Sequence, residues 1–358
     1  MKLKRMMMLL TTLSMFLLFL YGCGASSDKA AEVFEDGVSA YVKLANGNPV
    51  NLLIVGDSIA VGTGAEGIEN RWAELVKTEL GNKYGSDINM TNVSMGGCDS
   101  LCGYVRVQNI NDGVDNDLAV ICYGENDAEE DFGLYYESII RALRSKYPAI
   151  EIICIQESSQ MDYTFKMKAI AEIARHYNLP VADTIEPFMA DYDNLTVDGC
   201  HPNNAGHRIY ADVVEGIIDD AVKNEMVSDF DIKPFDENVL FFDHYTWIPK
   251  SEFRKFGNKY SAKLKADING NGKKTALSDG SGVYLVTDII DGEGDNNFTI
   301  YSDKEVLLER EFEWSYPFEQ RHIPILQKNV ILQEGITLSI KFENGKQAKN
   351  FEGIGFIG

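Results

Sequence analysis

Four short segments of the 358-residue chain hold residue types that can do acyl-transfer chemistry. Gly56-Asp57-Ser58-Ile59 follows the apolar run at 50–55 (VNLLIV). A serine just beyond a buried strand can expose its hydroxyl at the sheet edge, but it is a weak nucleophile until a base takes its proton. Asn92-Val93-Ser94-Met95-Gly96-Gly97 carries a glycine pair, and glycine lets a backbone N–H approach a ligand closely. Gly124-Glu125-Asn126-Asp127 offers an asparagine side chain that can donate to a developing oxyanion. Asp198-Gly199-Cys200-His201-Pro202-Asn203 places an aspartate three residues before a histidine. Such an aspartate can orient the ring, and the ring can deprotonate a nearby serine. Taken singly, each segment also reads as an ordinary turn.

The elements around these segments decide between the two readings. Buried-strand patterns fall at 50–55, 88–93, 117–123 and 150–155, with a short one at 179–182. Helical periods fall at 69–84, 132–147, 164–177 and 203–223. Strands alternating with helices predict a parallel sheet covered on both faces. Ligands of such sheets sit beyond the carboxyl ends of the strands. Three of the four segments occupy that place, and the fourth precedes the last helix.

The order and spacing of the GDS, Gly-Gly, GxND and DxxHPN segments resemble the SGNH (GDSL-type) hydrolase family over about residues 50–224. The resemblance implies a flavodoxin-like three-layer α/β/α fold that hydrolyses esters and thioesters, including acetyl groups on glycans. It implies Ser58 as nucleophile, His201 as base and Asp198 as the residue orienting His201. The oxyanion hole would be the Ser58 and Gly97 backbone amides with the Asn126 side chain. Ile59 stands where the family name has Leu, and Ser94 where many members have Gly. His176, His207, His244 and His322 carry no such motif and are assigned surface or packing roles.

Beyond residue 228 the long helical periods stop. Short runs rich in Val, Ile, Phe and Tyr, at 239–243, 260–265, 283–290, 298–302, 305–311, 336–342 and 351–357, predict a β-sandwich accessory domain over 229–358. Asp267-Ile268-Asn269-Gly270-Asn271-Gly272 starts like a calcium loop, but its twelfth position is Ser278 where a bidentate Glu is needed, so a β-turn is expected. Residues 291–297 read as a solvated loop. Trp247, Trp314, Tyr316 and Phe318 could form a sugar-stacking surface, although aromatics of a sandwich more often fill its core.

The chain begins with an address. Lys2, Lys4 and Arg5 precede an apolar run at 6–21 that ends in Leu20-Tyr21-Gly22-Cys23. This is similar to a bacterial lipoprotein signal over 1–23, with Cys23 lipidated and residues 24–49 as tether and lead-in to an SGNH hydrolase domain at 50–228. One lipidated end would hold the protein at a membrane surface outside the cytoplasm. With 45% apolar and 25% charged residues the chain is globular, not disordered. A net charge of −22 repels phosphate backbones and argues against nucleic-acid partners. Cys122 and Cys154 sit in strand-like apolar runs, while Cys98 and Cys102 are near enough in sequence for a disulfide that spacing alone does not establish. No His/Cys set has zinc-ligand spacing, and the chemistry requires no metal or organic cofactor.

The expectation is therefore an extracytoplasmic serine esterase that removes small acyl groups, acetyl foremost, from a carbohydrate polymer. Alternatives are a lipase or thioesterase, a glycan O-acyltransferase, and a non-catalytic glycan-binding surface lipoprotein.

Overall fold

A computed structural model describes residues 38–226, 233–265, 284–289, 294–295, 297–310, 313–314, 332–343, 345 and 347–357. Cys23, the calcium-like loop at 267–272, the loop expected at 291–297 (apart from the backbone of 294–295 and Asn297), Tyr316, Phe318 and His322 lie outside these residues.

Five strands, β1 (Val50–Gly56), β2 (Ile88–Asn92), β3 (Leu118–Cys122), β4 (Glu151–Gln156) and β5 (Val181–Asp183), form one parallel sheet in the order β2-β1-β3-β4-β5. The helices are α1 (Ala40–Ala45), α2 (Ser58–Val61), α3 (Trp72–Tyr84), α4 (Ser100–Asn109), α5 (Phe132–Lys146), α6 (Phe165–His176), α7 (Ile185–Met189), α8 (Tyr192–Leu195) and α9 (Asn204–Lys223). Alternate strand residues face opposite layers, as the pleat requires. Leu53, Val55, Ala119, Ile121 and Ile152 pack with α4, α5 and α6. Leu52, Ile54, Leu118, Val120 and Ile153 pack with α1, α3 and α9. This is the α/β/α fold the sequence predicts. The strand order reverses between β1 and β3, which opens a crevice beyond their carboxyl ends.

Helix α4 has no counterpart among the sequence expectations. Ser100, Leu101, Cys102, Gly103, Tyr104, Val105 and Val107 are all buried. A helix buried on most sides carries no apolar stripe for a periodicity reading to find.

Among the described residues, the C-terminal region holds two larger antiparallel sheets that face each other, as expected of a sandwich. One has the order β12-β11-β14-β8-β7, from β12 (Glu305–Arg310), β11 (Phe298–Ser302), β14 (Thr337–Phe342), β8 (Lys259–Lys263) and β7 (Arg254–Phe256). The other joins β6 (Tyr245–Pro249), β15 (Phe351–Ile357) and β9 (Tyr284–Ile289). Tyr260, Phe298, Ile300, Ile340 and Phe342 of the first sheet bury against Phe351, Ile354 and Phe356 of the second. Strands β10 (Gly294–Asp295) and β13 (Glu313–Trp314) pair separately. Trp247 is half-buried on β6, its ring stacked on that of Tyr245 with centroids 6.5 Å apart.

Residues 239–243 correct one expectation. They are not a strand but part of a 3-10 helix, Glu237–Asp243. The Asp236 side chain accepts from the Asn238 amide at 2.9 Å and starts the turn. Val239, Phe241 and Phe242 then enter the α/β core. A short apolar run has no period that separates these conformations. The α/β layers and the sandwich lie in one packed unit, 37–358. Arg141 of α5 grips Asp243 through two donors at 3.1 and 2.7 Å, and Glu137 accepts the Phe235 and Asp236 amides at 2.7 and 3.1 Å.

Candidate active site

Strand β1 delivers Ser58 to the crevice. Its last residue, Gly56, cannot carry a side chain: a Cβ there would lie 2.4 Å from both the Cys122 carbonyl oxygen and the Ala60 Cβ. The close β1–β3 approach and the immediate turn into α2 both require that glycine. Asp57 caps α2 by accepting the Ile59 amide at 2.9 Å. The Trp72 indole N–H donates to the Ile59 carbonyl and Asn92 Nδ2 to the Ala60 carbonyl, both at 3.0 Å. Ser58 is thus the first residue of a one-turn helix fixed on three sides, and its N–H belongs to the unpaired amides of a helix start.

His201 arrives on the loop before α9. Asp198 Oδ1 accepts the Cys200 and His201 amides at 3.0 and 2.8 Å, which shapes the turn. Asn203 caps α9 through the Ala205 and Gly206 amides at 3.0 and 3.1 Å. Asp198 Oδ2 lies 2.7 Å from His201 Nδ1, and His201 Nε2 lies 2.9 Å from Ser58 Oγ. An ionised carboxylate only accepts, so Nδ1 carries the hydrogen and Nε2 accepts from the serine hydroxyl. Burial raises the Asp198 carboxyl, but hydrogen bonds from the His201 amide, the His201 ring and the Cys200 amide outweigh it and hold the group below its ordinary range. It therefore stays ionised beside the ring.

The other two elements meet the serine from β2 and β3. Met95 to Cys98 is a tight turn, closed by the Cys98 N–H to the Met95 carbonyl at 3.2 Å, with Gly97 at φ +72°. That left-handed backbone favours glycine. Gly97 is exposed, and the side-chain direction of Gly96 points to Ser58, whose Cβ is 3.8 Å from an added Cβ. Asn126 is exposed after β3, with Nδ2 3.2 Å from both Asp57 Oδ2 and the Cys98 carbonyl. Both neighbours are acceptors, so the nitrogen must face them. These bonds are at the long end of the usual range, where a stronger acceptor can compete. The five residues expected to form the triad and the oxyanion hole, Ser58, Gly97, Asn126, Asp198 and His201, are thus on elements that converge on the β1/β3 crevice.

Several residues behind them escaped the sequence reading. Asp57, to which the motif assigns no role, ties the Ser58 helix to Asn126. Asp127 accepts the Ser100 amide at 2.9 Å, and burial pushes its carboxyl up to about 6. Glu157 follows β4 and is fully buried. The rule that residues just beyond strand ends carry chemistry would have found it. Cys98 and Cys102 form a disulfide with Cα atoms 5.7 Å apart, next to Gly97. Cys122 and Cys154 are buried free thiols, as expected, and Cys200 is free and half-buried beside His201. His207 packs fully buried with Nε2 3.1 Å from the Thr63 carbonyl, a packing role.

Residues 54–209 match the model of the GDSL-like lipase/acylhydrolase family. Over these residues, fewer than half of the chain, the sequence is similar to GDSL-type acylhydrolases. The chemistry of that family makes the protein a carboxylic ester hydrolase. Two solved structures share the fold across both regions. One, described as a two-domain esterase active on acetylated mannans co-crystallized with mannopentaose, is 18% identical with a TM-score of 0.64, covering 88% of this chain and 92% of its own. The other, described as a two-domain esterase active on acetylated mannans, is 17% identical with a TM-score of 0.64, covering 88% and 93%. No curated protein sequence matches the chain.

Proposed function

We propose that the protein is an extracytoplasmic serine esterase, anchored through lipidated Cys23, that removes small acyl groups, acetyl foremost, from a carbohydrate polymer. The observation that carries the catalytic part is the unbroken path from Asp198 Oδ2 through His201 to Ser58 Oγ, in steps of 2.7 and 2.9 Å. His201 takes the serine proton as Oγ attacks the ester carbonyl. Asp198 fixes the tautomer and stabilises the imidazolium. The Ser58 and Gly97 amides and Asn126 Nδ2 receive the oxyanion, with Asn126 exchanging one of its long bonds for a shorter one to the charged oxygen. His201 then protonates the leaving alcohol, and water, activated by the same ring, releases the acid.

The carbohydrate part is supported by the shared fold of the esterases active on acetylated mannans, which spans the sandwich as well as the hydrolase region. The location is supported by the basic start, the apolar run and Cys23. The test is hydrolysis of p-nitrophenyl esters from acetate to long acyl chains, alongside acetate release from acetylated mannan and xylan. Fastest turnover of acetate and acetate release from a glycan are expected, both lost in Ser58→Ala. Rates that climb with acyl length would instead make it a lipase. For the anchor, metabolic labelling with a fatty-acid probe is expected to mark the wild type and not Cys23→Ala; equal labelling of both would remove it.

A further inference from the structure

Beneath the serine lies a pair of carboxyl groups that the mechanism above does not use. Asp57 and Glu157 are each fully buried and both lie against Cys122, the Asp57 N–H on its carbonyl at 3.2 Å and Glu157 Oε1 3.3 Å from its thiol. Asp57 has two N–H donors, the Ile59 amide at 2.9 Å and Asn126 Nδ2 at 3.2 Å. Glu157 has one, the Glu125 amide at 2.8 Å, and a weak one, the Cys122 thiol at 3.3 Å. Two neighbouring carboxylates cannot both keep their charge away from water. The one with the better donors keeps it, and the other holds the proton.

We propose that Glu157 is a positioning residue that stays protonated in the folded chain and donates its O–H to Asp57. The Asp57 carboxylate is then free to hold Asn126 with one oxygen and to cap the Ser58 helix with the other. Glu157 touches neither serine nor histidine. It acts through Asp57 on two proposed donors at once, the Ser58 amide and the Asn126 side chain. This rests on the reading of Ser58 and Asn126 given above.

The groups facing the pair come from every neighbouring element. Cys122 of β3, Tyr123, Glu125 and Asp127 after it, Tyr136 of α5, Cys200 of the loop before α9 and Tyr210 of α9 are neutral or negative. Lys166 of α6 spends its ammonium on the Gly124 and Asp127 carbonyls. Burial pushes Glu157 well above its ordinary range, and Asp57 up to about 7. A carboxyl whose folded pKa is raised stabilises the fold below its unfolded value, and that contribution is lost as pH rises toward the folded value.

The experiment compares full-length wild type, Glu157→Gln and Glu157→Ala. Glutamine keeps a donor for Asp57 and an acceptor for the Glu125 amide but has no proton to lose. Glu157→Ala is expected to lower kcat on p-nitrophenyl acetate about tenfold to a hundredfold with KM within twofold, and Glu157→Gln to recover most of it. Between pH 5 and 9 the wild-type melting temperature is expected to fall more steeply than that of Glu157→Gln. Titratable groups remote from the pair cancel in that comparison. Equal slopes, or a glutamine variant as impaired as the alanine one, would overturn the proposal. If Glu157→Ala does not fold, the slopes of the other two still decide. Activity surviving in Ser58→Ala would refute the reading of the site, while the melting comparison would still report where the proton sits.

Discussion

The most exposed claim at the scale of single residues concerns Asn126. Its side chain bridges Asp57 and the Cys98 carbonyl at rest, and it is assigned to the oxyanion during turnover. Asn126→Ala removes that donor and is expected to cut kcat for p-nitrophenyl acetate by about a hundred- to a thousandfold, with KM little changed. Steady-state kinetics check this, and a loss below threefold would exclude Asn126 from the oxyanion hole. Residues of this kind were legible in the sequence because each sits in a short segment whose neighbours are fixed by the local turn. Asp57, Asp127 and Glu157 were not legible as a set. They lie after three different strands, and only the parallel sheet brings their carboxyls together behind the serine.

At the scale of elements, helix α9, which follows the His201 loop, carries a buried histidine of its own. His207, six residues on, is fully buried, and burial lowers its pKa to about 4. The folded chain keeps it neutral, while an unfolded chain binds a proton below about pH 6.5. Stability from this group is therefore present above pH 6.5 and lost as pH falls toward 4. Denaturant melts at pH 7 and pH 4 are expected to show wild type losing roughly 3 kcal/mol more than His207→Gln. Equal losses would mean that the ring is protonated in the fold. Strands β1, β3 and β4 were readable as apolar runs because strands buried on both faces leave little room for polar residues. Helix α4 and the 3-10 turn at Glu237–Asp243 were not. Burial on most sides erased the period of the first, and the second was a short apolar run that only its tertiary partner bends.

At the scale of the whole molecule, the sandwich region and the hydrolase region share a core. Phe242 is buried against Tyr104 at 5.4 Å and Tyr135 at 5.8 Å, both edge-on, and Ile357 from the last strand joins the same cluster. Phe242→Ala is expected to cost about 3–5 kcal/mol. Calorimetry is expected to show one transition moving as a whole, because both regions rest on the same contacts. Two separate transitions, with only one shifted, would show that the regions fold independently. Sequence reading sees a change of pattern near residue 229 but cannot see Val239, Phe241 and Phe242 turning back to fill the α/β core.

The central claim is that Ser58 forms the acyl-enzyme with His201 as its base. The direct measurement is to treat the full-length chain with a phosphonate ester that traps activated serines, then map the adduct by peptide mass spectrometry. One adduct, on Ser58, is expected, formed in parallel with loss of p-nitrophenyl acetate hydrolysis and strongly slowed in His201→Ala. An adduct on another residue, or full hydrolysis by Ser58→Ala, would contradict it.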